Sequence, residues 1–144
     1  MEAGSTKVPA SVWVVGVLAL LWNLVGVAAF GMQLAMPAEA LEAMPADRRA
    51  IYEAAPGWLY IFYGVATIGG VIGSLGLLLR RRWAVPVYLV ALVALVLQVL
   101  ASYAVTPAWS LGGAASLGFP VLLVAIAIAL WLFARRMSAR HILR

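Results

Sequence analysis

Residues 58–105 read WLYIFYGVATIGGVIGSLGLLLRRRWAVPVYLVALVALVLQVLASYAV. Two apolar runs, neither containing Asp, Glu, Lys, Arg or His, flank the charged triplet Arg80-Arg81-Arg82. Each run reaches the roughly 20 residues that a helix needs to cross the hydrocarbon core of a bilayer. Because the linker is so short, the stretch predicts a tight antiparallel hairpin of two transmembrane helices, at about 58–79 and 83–105.

Two further apolar runs without charge predict spans at about 12–35 and 117–134. The chain of 144 residues is 66% hydrophobic and 10% charged, whereas soluble domains carry roughly 25% charged residues. The first run exceeds the ~7–15 residues of a signal-peptide core, so we interpret it as a retained helix. The sequence therefore predicts one integral membrane domain over 1–144, an all-α transmembrane four-helix bundle running up-down-up-down.

The loop between the first two spans carries its own helix signal. Pro45 can open a short helix, Asp47 in its first turn suits the helix dipole, and Pro56 ends it. Apolar residues of this loop can gather on one side, so the segment can lie on the membrane surface, cap the bundle or form an ordinary structured loop. We expect this short helix in the first extracytoplasmic loop.

Lys and Arg are distributed unevenly over the loops, which predicts the orientation of the chain. Lys7, the triplet at 80–82 and the four Arg of the segment 135–144 place eight of the ten basic residues on one side. The loop at about 36–57 instead holds four acidic residues, and the loop at about 106–116 holds no charge. We therefore expect a multi-pass protein of a bacterial inner membrane with both termini in the cytoplasm.

The residue inventory argues against enzymatic chemistry. The chain has no cysteine, and His141 is its single histidine. Neither an acid–base pair nor a nucleophile–base pair lies within the apolar runs, so we expect no catalytic residue, metal or cofactor and no enzyme. The net charge of +5 comes from basic residues at the ends of spans, which favours anionic lipid as a partner over nucleic acid.

A few polar side chains do enter the apolar runs. At the predicted orientation Asn23 lies near mid-membrane, and the others lie in the outer half. If their helix faces converge, they form an outward-opening cavity suited to a neutral polar or amphipathic molecule. The candidate ligand-binding residues are Asn23, Gln33, Tyr63, Thr67, Gln98 and Ser102.

Helix packing is the alternative role for the same faces. Small residues let helix backbones approach closely, and amides hydrogen-bond across helices for about 0.6–2 kcal/mol each. The candidate packing residues are Gly16, Gly26, Gly69, Gly73 and Gly76. Gly69 and Gly73 form a GxxxG pair, so we expect self-association through this pair or assembly with a partner membrane protein.

Trp22 does not fit the aromatic belts that other residues form near the predicted membrane interfaces. Those belts consist of Trp13, Trp83 and Trp131 at the inner interface and of Trp58, Tyr60, Tyr103 and Trp109 at the outer one. Trp22 follows Trp13 by nine residues, which places it roughly 13 Å deeper at about 1.5 Å per residue. Trp22 is therefore either a packing residue or part of a pocket.

Several stretches are similar to a family of small bacterial inner-membrane proteins with four helices, whose members are often automatically labelled sugar transporters. The resemblance covers most of the chain, and its motifs consist of packing and interface residues. It implies four helices in the cell membrane, and the label implies a small solute as cargo. The stretches are WNLVG at 22–26, APGW at 55–58, GGVIGS at 69–74, LLLRRRWAVP at 77–86 and FARRM at 133–137.

Two functions remain in view from the sequence. The first is a non-enzymatic membrane protein with a packing or assembly role, for example as a subunit of a larger complex. The second is a transporter or binder of a neutral sugar-like or amphipathic molecule with an outward-facing polar pocket. A cavity lined by Asn23, Tyr63 and Gln98 favours the second function, and interdigitated side chains favour the first.

Overall fold

The computed structural model describes residues 7–144, which are largely helical and contain no β-strand. Four helices within this range are long and apolar enough to cross a membrane. The shortest have 22 residues, or roughly 33 Å at about 1.5 Å per residue, against a ~30 Å hydrocarbon core. The four are α1 (Ala10–Leu34), α4 (Gly57–Leu78), α5 (Ala84–Val105) and α7 (Gly118–Ala139). The prediction of an all-α four-helix membrane bundle is confirmed.

Proline sets many of the helix boundaries, because its fixed φ suits a helix start and its missing N–H is not needed there. The observed spans begin and end within two residues of the predicted bounds, with one exception. α7 runs past the predicted end at 134 to Ala139, because Arg135 and Arg136 continue the helix with exposed side chains. The helices that directly follow a proline cap are those after Pro9, Pro37, Pro45, Pro56 and Pro107.

The loop between α1 and α4 holds two short helices, α2 (Ala38–Glu42) and α3 (Ala46–Ala54). The helix after Pro45 was expected from the sequence, whereas α2 was not. Arg49 fixes the two helices to each other, since its guanidinium donates to the carbonyl oxygens of Leu41 and Met44, both at 3.1 Å, and also to that of Glu42. The loop is therefore a folded unit.

The loop before α7 is also structured. It contains α6 (Ala108–Gly112) and a 3-10 turn over Gly113–Leu117. The Tyr103 hydroxyl lies 2.8 Å from the Ser116 hydroxyl and donates to the Ser116 carbonyl oxygen at 3.0 Å. These bonds tie the turn to the end of α5. We call the end of the bundle with α2, α3 and α6 the loop end.

The spanning helices pack in chain order, α1 on α4, α4 on α5 and α5 on α7. Within residues 7–144, α1 and α7 share no comparable packing. They approach each other in the main buried cluster, where Val12 of α1 joins Ala134 and Met137 of α7. The bundle is therefore closed at that end, which we call the basic end because it carries residues 80–82 and 135–144. Between α1 and α7 it is open further along.

A backbone pairing completes the basic end. Two residues after the ends of α4 and α7 the backbone enters the left-handed region, at Arg80 with φ 56° and at His141 with φ 57°. The segments that follow then pair, as Arg82 N–H donates to Arg144 C=O at 2.8 Å and Arg144 N–H donates to Arg80 C=O at 2.7 Å. We call this pairing the tail clasp. It buries Ile142 and Leu143 almost completely.

Candidate ligand-binding site

A cavity of about 210 Å³ lies between the four spanning helices. Its wall is mostly aliphatic and aromatic, and none of its lining residues is charged. On α1 the lining runs over residues 22–29, on α4 over 63–70, on α5 over 88–95 and on α7 over 119–130. The cavity therefore lies in the middle of the bundle, inside the part of each helix that spans the membrane.

The cavity opens sideways, between α1 and α7. Three lining residues of these two helices are well exposed, Trp22 at 39%, Val25 at 66% and Phe119 at 64%. Within the described residues these two helices do not pack along each other as the other neighbouring pairs do, so helix packing does not seal the cavity on this side. Because this part of the surface faces hydrocarbon in a membrane, the opening connects the cavity with lipid.

Asn23 and Tyr88, which line the inner part of the cavity wall, meet at the buried Ser74, which does not line it. Ser74 of α4 is fully buried and donates to the Gly70 carbonyl oxygen at 2.7 Å. Tyr88 of α5 then donates its hydroxyl proton to Ser74 Oγ at 2.8 Å, because the Ser74 proton is already used. Asn23 Nδ2 of α1 donates to Ser74 Oγ at 3.4 Å and to the Ala19 carbonyl oxygen at 2.8 Å. Ser74 thus links α1 and α5 through α4.

Glycines of α4 provide the space for these side chains. A β-carbon on Gly70 would overlap Asn23 Oδ1, and one on Gly73 would lie 2.9 Å from the Tyr88 ring. The amide and the ring therefore rest directly on the α4 backbone. Because the residues on this face of α4 are small, polar groups from two other helices can reach Ser74.

The predicted packing glycines all lie where another side chain approaches closely. A β-carbon on Gly69 would lie 3.2 Å from Ala91 Cβ, so the GxxxG pair packs α4 against α5 of the same chain. Self-association through this pair, which the sequence predicted, stays a prediction. The other partners are Leu78 for Gly16, Thr67 for Gly26 and Trp83 for Gly76.

Half of the predicted ligand-binding residues line the cavity, namely Asn23, Tyr63 and Thr67. Gln33, Gln98 and Ser102 do not. The lining of α1 ends at Ala29, one turn before Gln33, and that of α5 ends at Leu95, one turn before Gln98. The cavity thus lies deeper and opens sideways, which differs from the outward-opening pocket that the sequence predicted.

Tyr88 and Ser74 are the residues that sequence reasoning did not assign to the site. Tyr88 follows Trp83 by five residues, so it lies roughly 7 Å deeper at about 1.5 Å per residue. An aromatic residue with a polar group below the interfacial belt is the same signal that singled out Trp22. Applied to α5, it would have found Tyr88, and Trp22 itself lines the cavity.

Tyr52 of α3 lies near the loop end of the site. Burial raises the pKa of its hydroxyl, and the neighbouring Tyr60 and Tyr63 raise that pKa further.

Comparisons of this chain with protein-family models, with curated protein sequences and with solved structures found no match.

Proposed function

We propose that this membrane protein binds a neutral amphipathic molecule, which enters its central cavity from the bilayer between α1 and α7. The observation that supports the proposal is a cavity with an apolar wall and a few polar groups that opens toward lipid. Binding sites for small molecules have this character, since apolar area provides affinity and a few polar groups provide orientation.

The absence of charge in the lining argues for a neutral ligand. None of the lining residues is Asp, Glu, Lys, Arg or His. An ionised group placed there would lose its hydration and gain no partner, which costs several kcal/mol at the centre of a bilayer. Lipids and solutes with charged head groups are therefore poor candidates for the inner part of the cavity.

The size and polarity of the cavity favour an amphipathic molecule over a free sugar. A purely apolar cavity of about 150 Å³ can hold benzene, so about 210 Å³ accommodates one ring or one end of a chain. A sugar buries several hydroxyl groups, and each one left unpaired costs about 1–3 kcal/mol. Four polar side chains, Asn23, Tyr63, Thr67 and Tyr88, line this cavity, which suits a single polar end with an apolar remainder in the opening.

Assembly with another membrane helix is the second candidate function. The same opening, with Trp22, Val25 and Phe119 exposed at its rim, can receive side chains of a second copy or of a partner subunit. Small residues are not concentrated at this rim, as they are on the faces where α4 meets α5, and close helix packing in membranes depends on them. This difference places the binding function first.

The orientation that we propose puts the basic end in the cytoplasm of a bacterium. Basic residues accumulate on cytoplasmic loops because of the positive-inside rule. The tail clasp joins residues 80–82 to 141–144, so the two basic segments lie on one side of the membrane.

A photolabelling experiment tests the binding function. The protein is reconstituted in phosphatidylcholine nanodiscs with a twelve-carbon alcohol that carries a diazirine, and the labelled residues are mapped by mass spectrometry. We expect saturable labelling of residues 22–29 and 119–130, displaced by unlabelled 1-dodecanol. Nanodiscs are preferred to detergent because detergent is itself an amphipathic competitor.

A pair of variants on α7 provides the control. Ala127 lines the cavity, whereas Ala129 is exposed outside it. Ala127→Leu should fill the cavity and abolish the saturable labelling, while Ala129→Leu should leave it unchanged. Labelling spread evenly around the helices, without saturation and equal in both variants, would refute the binding function.

A further inference from the structure

Hydrogen-bond donors and acceptors are not evenly available in the cavity. The inner wall has three polar side chains, Asn23, Thr67 and Tyr88. The hydrogen-bonding protons of these three side chains are already donated to oxygen atoms of the protein. A ligand can therefore bond only to the donors and acceptors of the wall that these internal hydrogen bonds leave unused.

Thr67 keeps only an acceptor for a ligand. Its hydroxyl lies 3.0 Å from the Tyr63 carbonyl oxygen and 3.3 Å from the Gly64 carbonyl oxygen. Carbonyl oxygens only accept, so the single hydroxyl proton is used on the α4 backbone. Thr67 Oγ1 can still accept a hydrogen bond from the cavity.

Tyr88 and Asn23 likewise keep only acceptors for a ligand. The Ser74 hydroxyl donates its proton to the Gly70 carbonyl oxygen, so Ser74 Oγ accepts from the Tyr88 hydroxyl and from Asn23 Nδ2. The second Asn23 N–H goes to the Ala19 carbonyl oxygen. Both donors of the amide and the one donor of the phenol are used, and Asn23 Oδ1 and the Tyr88 oxygen remain as acceptors.

One of these acceptors, Asn23 Oδ1, is accessible. Within residues 7–144, Trp131 Nε1 is the one buried side-chain polar atom without a hydrogen-bond partner. Asn23 Oδ1 also has no hydrogen-bond partner in that range but is not one of the buried atoms, so part of its surface is exposed. It lies over Gly70, which also lines the cavity.

The unused donors lie away from this inner group. The Tyr63 hydroxyl forms no hydrogen bond within the described residues, and Tyr63 lines the cavity toward the loop end. The Trp22 indole N–H has no partner there either, and its side chain belongs to the exposed rim. The inner wall therefore offers acceptors alone.

We infer that the cavity selects an amphipathic molecule whose polar end donates a hydrogen bond, namely a long-chain alcohol or another neutral lipid with a free hydroxyl. This inference rests on the proposed binding function and names its ligand class. A hydroxyl donates to Asn23 Oδ1 or Thr67 Oγ1 at the inner wall. An ether or an ester of the same length only accepts, and it leaves the inner acceptors unpaired once water is displaced.

Matched competitors in the photolabelling experiment test the ligand class. 1-Dodecanol, dodecyl methyl ether and dodecane are compared as competitors of the diazirine alcohol in nanodiscs. We expect the alcohol to displace the label at about one tenth of the mole fraction that the ether needs. Equal displacement by alcohol and ether would overturn the inference and leave the binding function intact. Labelling that no competitor reduces would instead count against the binding function.

Two isosteric variants locate the selectivity. Thr67→Val removes a free acceptor and should shrink the preference for the alcohol severalfold, with displacement by the ether retained as evidence of folding. Tyr63→Phe removes a free donor and should weaken the ether and widen the preference. A preference that is the same in both variants and in Tyr88→Phe would overturn the inference, because the named atoms would then not generate it.

Discussion

Gly70 is the residue on which the inner wall of the cavity depends most directly. It lies under Asn23, its carbonyl oxygen accepts from Ser74 at 2.7 Å, and it lines the cavity. A side chain at this position would push Asn23 away from Ser74. The absence of a side chain at one position thus allows α1 to contribute a polar group to a site on α4 and α5.

Gly70→Ala should therefore destabilise the protein by about 1–3 kcal/mol, the usual cost of overpacking a tight interior. Gly31→Ala is the matched control, since no atom lies within 4 Å of a β-carbon built there. That variant should retain or slightly gain stability, because alanine favours a helix by up to about 1 kcal/mol over glycine. Unfolding by SDS titration from mild detergent micelles measures both. Equal stability of the two variants would contradict the close contact.

At the scale of elements, the tail clasp and the short loop helices restrain the ends of the bundle. Arg80 Nε donates to the Ile142 carbonyl oxygen and Arg82 Nε to the Leu143 carbonyl oxygen, both at 3.2 Å. With the two backbone bonds, these contacts join the α4–α5 turn to the segment after α7. They hold α7 near α4 at the basic end and leave the rest of α7 free to stand apart from α1.

Leu143→Ala should loosen this end of the bundle. Leu143 is fully buried, so its truncation should cost about 2–5 kcal/mol. Leu132→Ala is the control on the same part of the chain, because Leu132 is 48% exposed and faces lipid, and we expect it to cost less than about 1 kcal/mol. SDS titration measures the free energy of unfolding of both variants. If Leu143→Ala lowers it no more than Leu132→Ala does, the burial of Leu143 in the clasp does not contribute to stability.

At the scale of the whole molecule, the two ends of the bundle differ both in charge and in packing. The described acidic residues lie in the loop that contains α2 and α3, and the basic triplet and tail lie at the opposite end. The basic end is closed by the buried cluster around Leu77 and Met137. The cavity therefore has a closed basic end and an open side.

The proposed orientation can be measured with single cysteines, because the chain contains none of its own. Glu42→Cys at the loop end should react with a membrane-impermeant maleimide on intact bacterial cells. Arg140→Cys at the basic end should react only after permeabilisation. The opposite pattern would reverse the orientation, and labelling of both sites on intact cells would indicate a mixed topology.

Much of the fold was predictable from the sequence, but only part of the site. Asn23, Tyr63 and Thr67 are rare polar residues in apolar runs, so their composition alone marks them, and the cavity includes all three. Gln33 and Gln98 carry the same mark and lie outside it. The difference is about one helical turn on α1 and on α5, which depends on how the helices tilt and cross rather than on periodicity within any one helix.

The sequence by itself determined the four spans, because an apolar run of about 20 residues in lipid satisfies its backbone hydrogen bonds only as a helix. It also determined the asymmetric distribution of charge. Only the tertiary structure decided that Asn23, Ser74 and Tyr88 share hydrogen bonds, that Gly69 and Gly73 serve the α4–α5 contact, and that α1 and α7 stand apart. Those features arise between helices, where rotation, tilt and depth are set by the packing of side chains from distant parts of the chain.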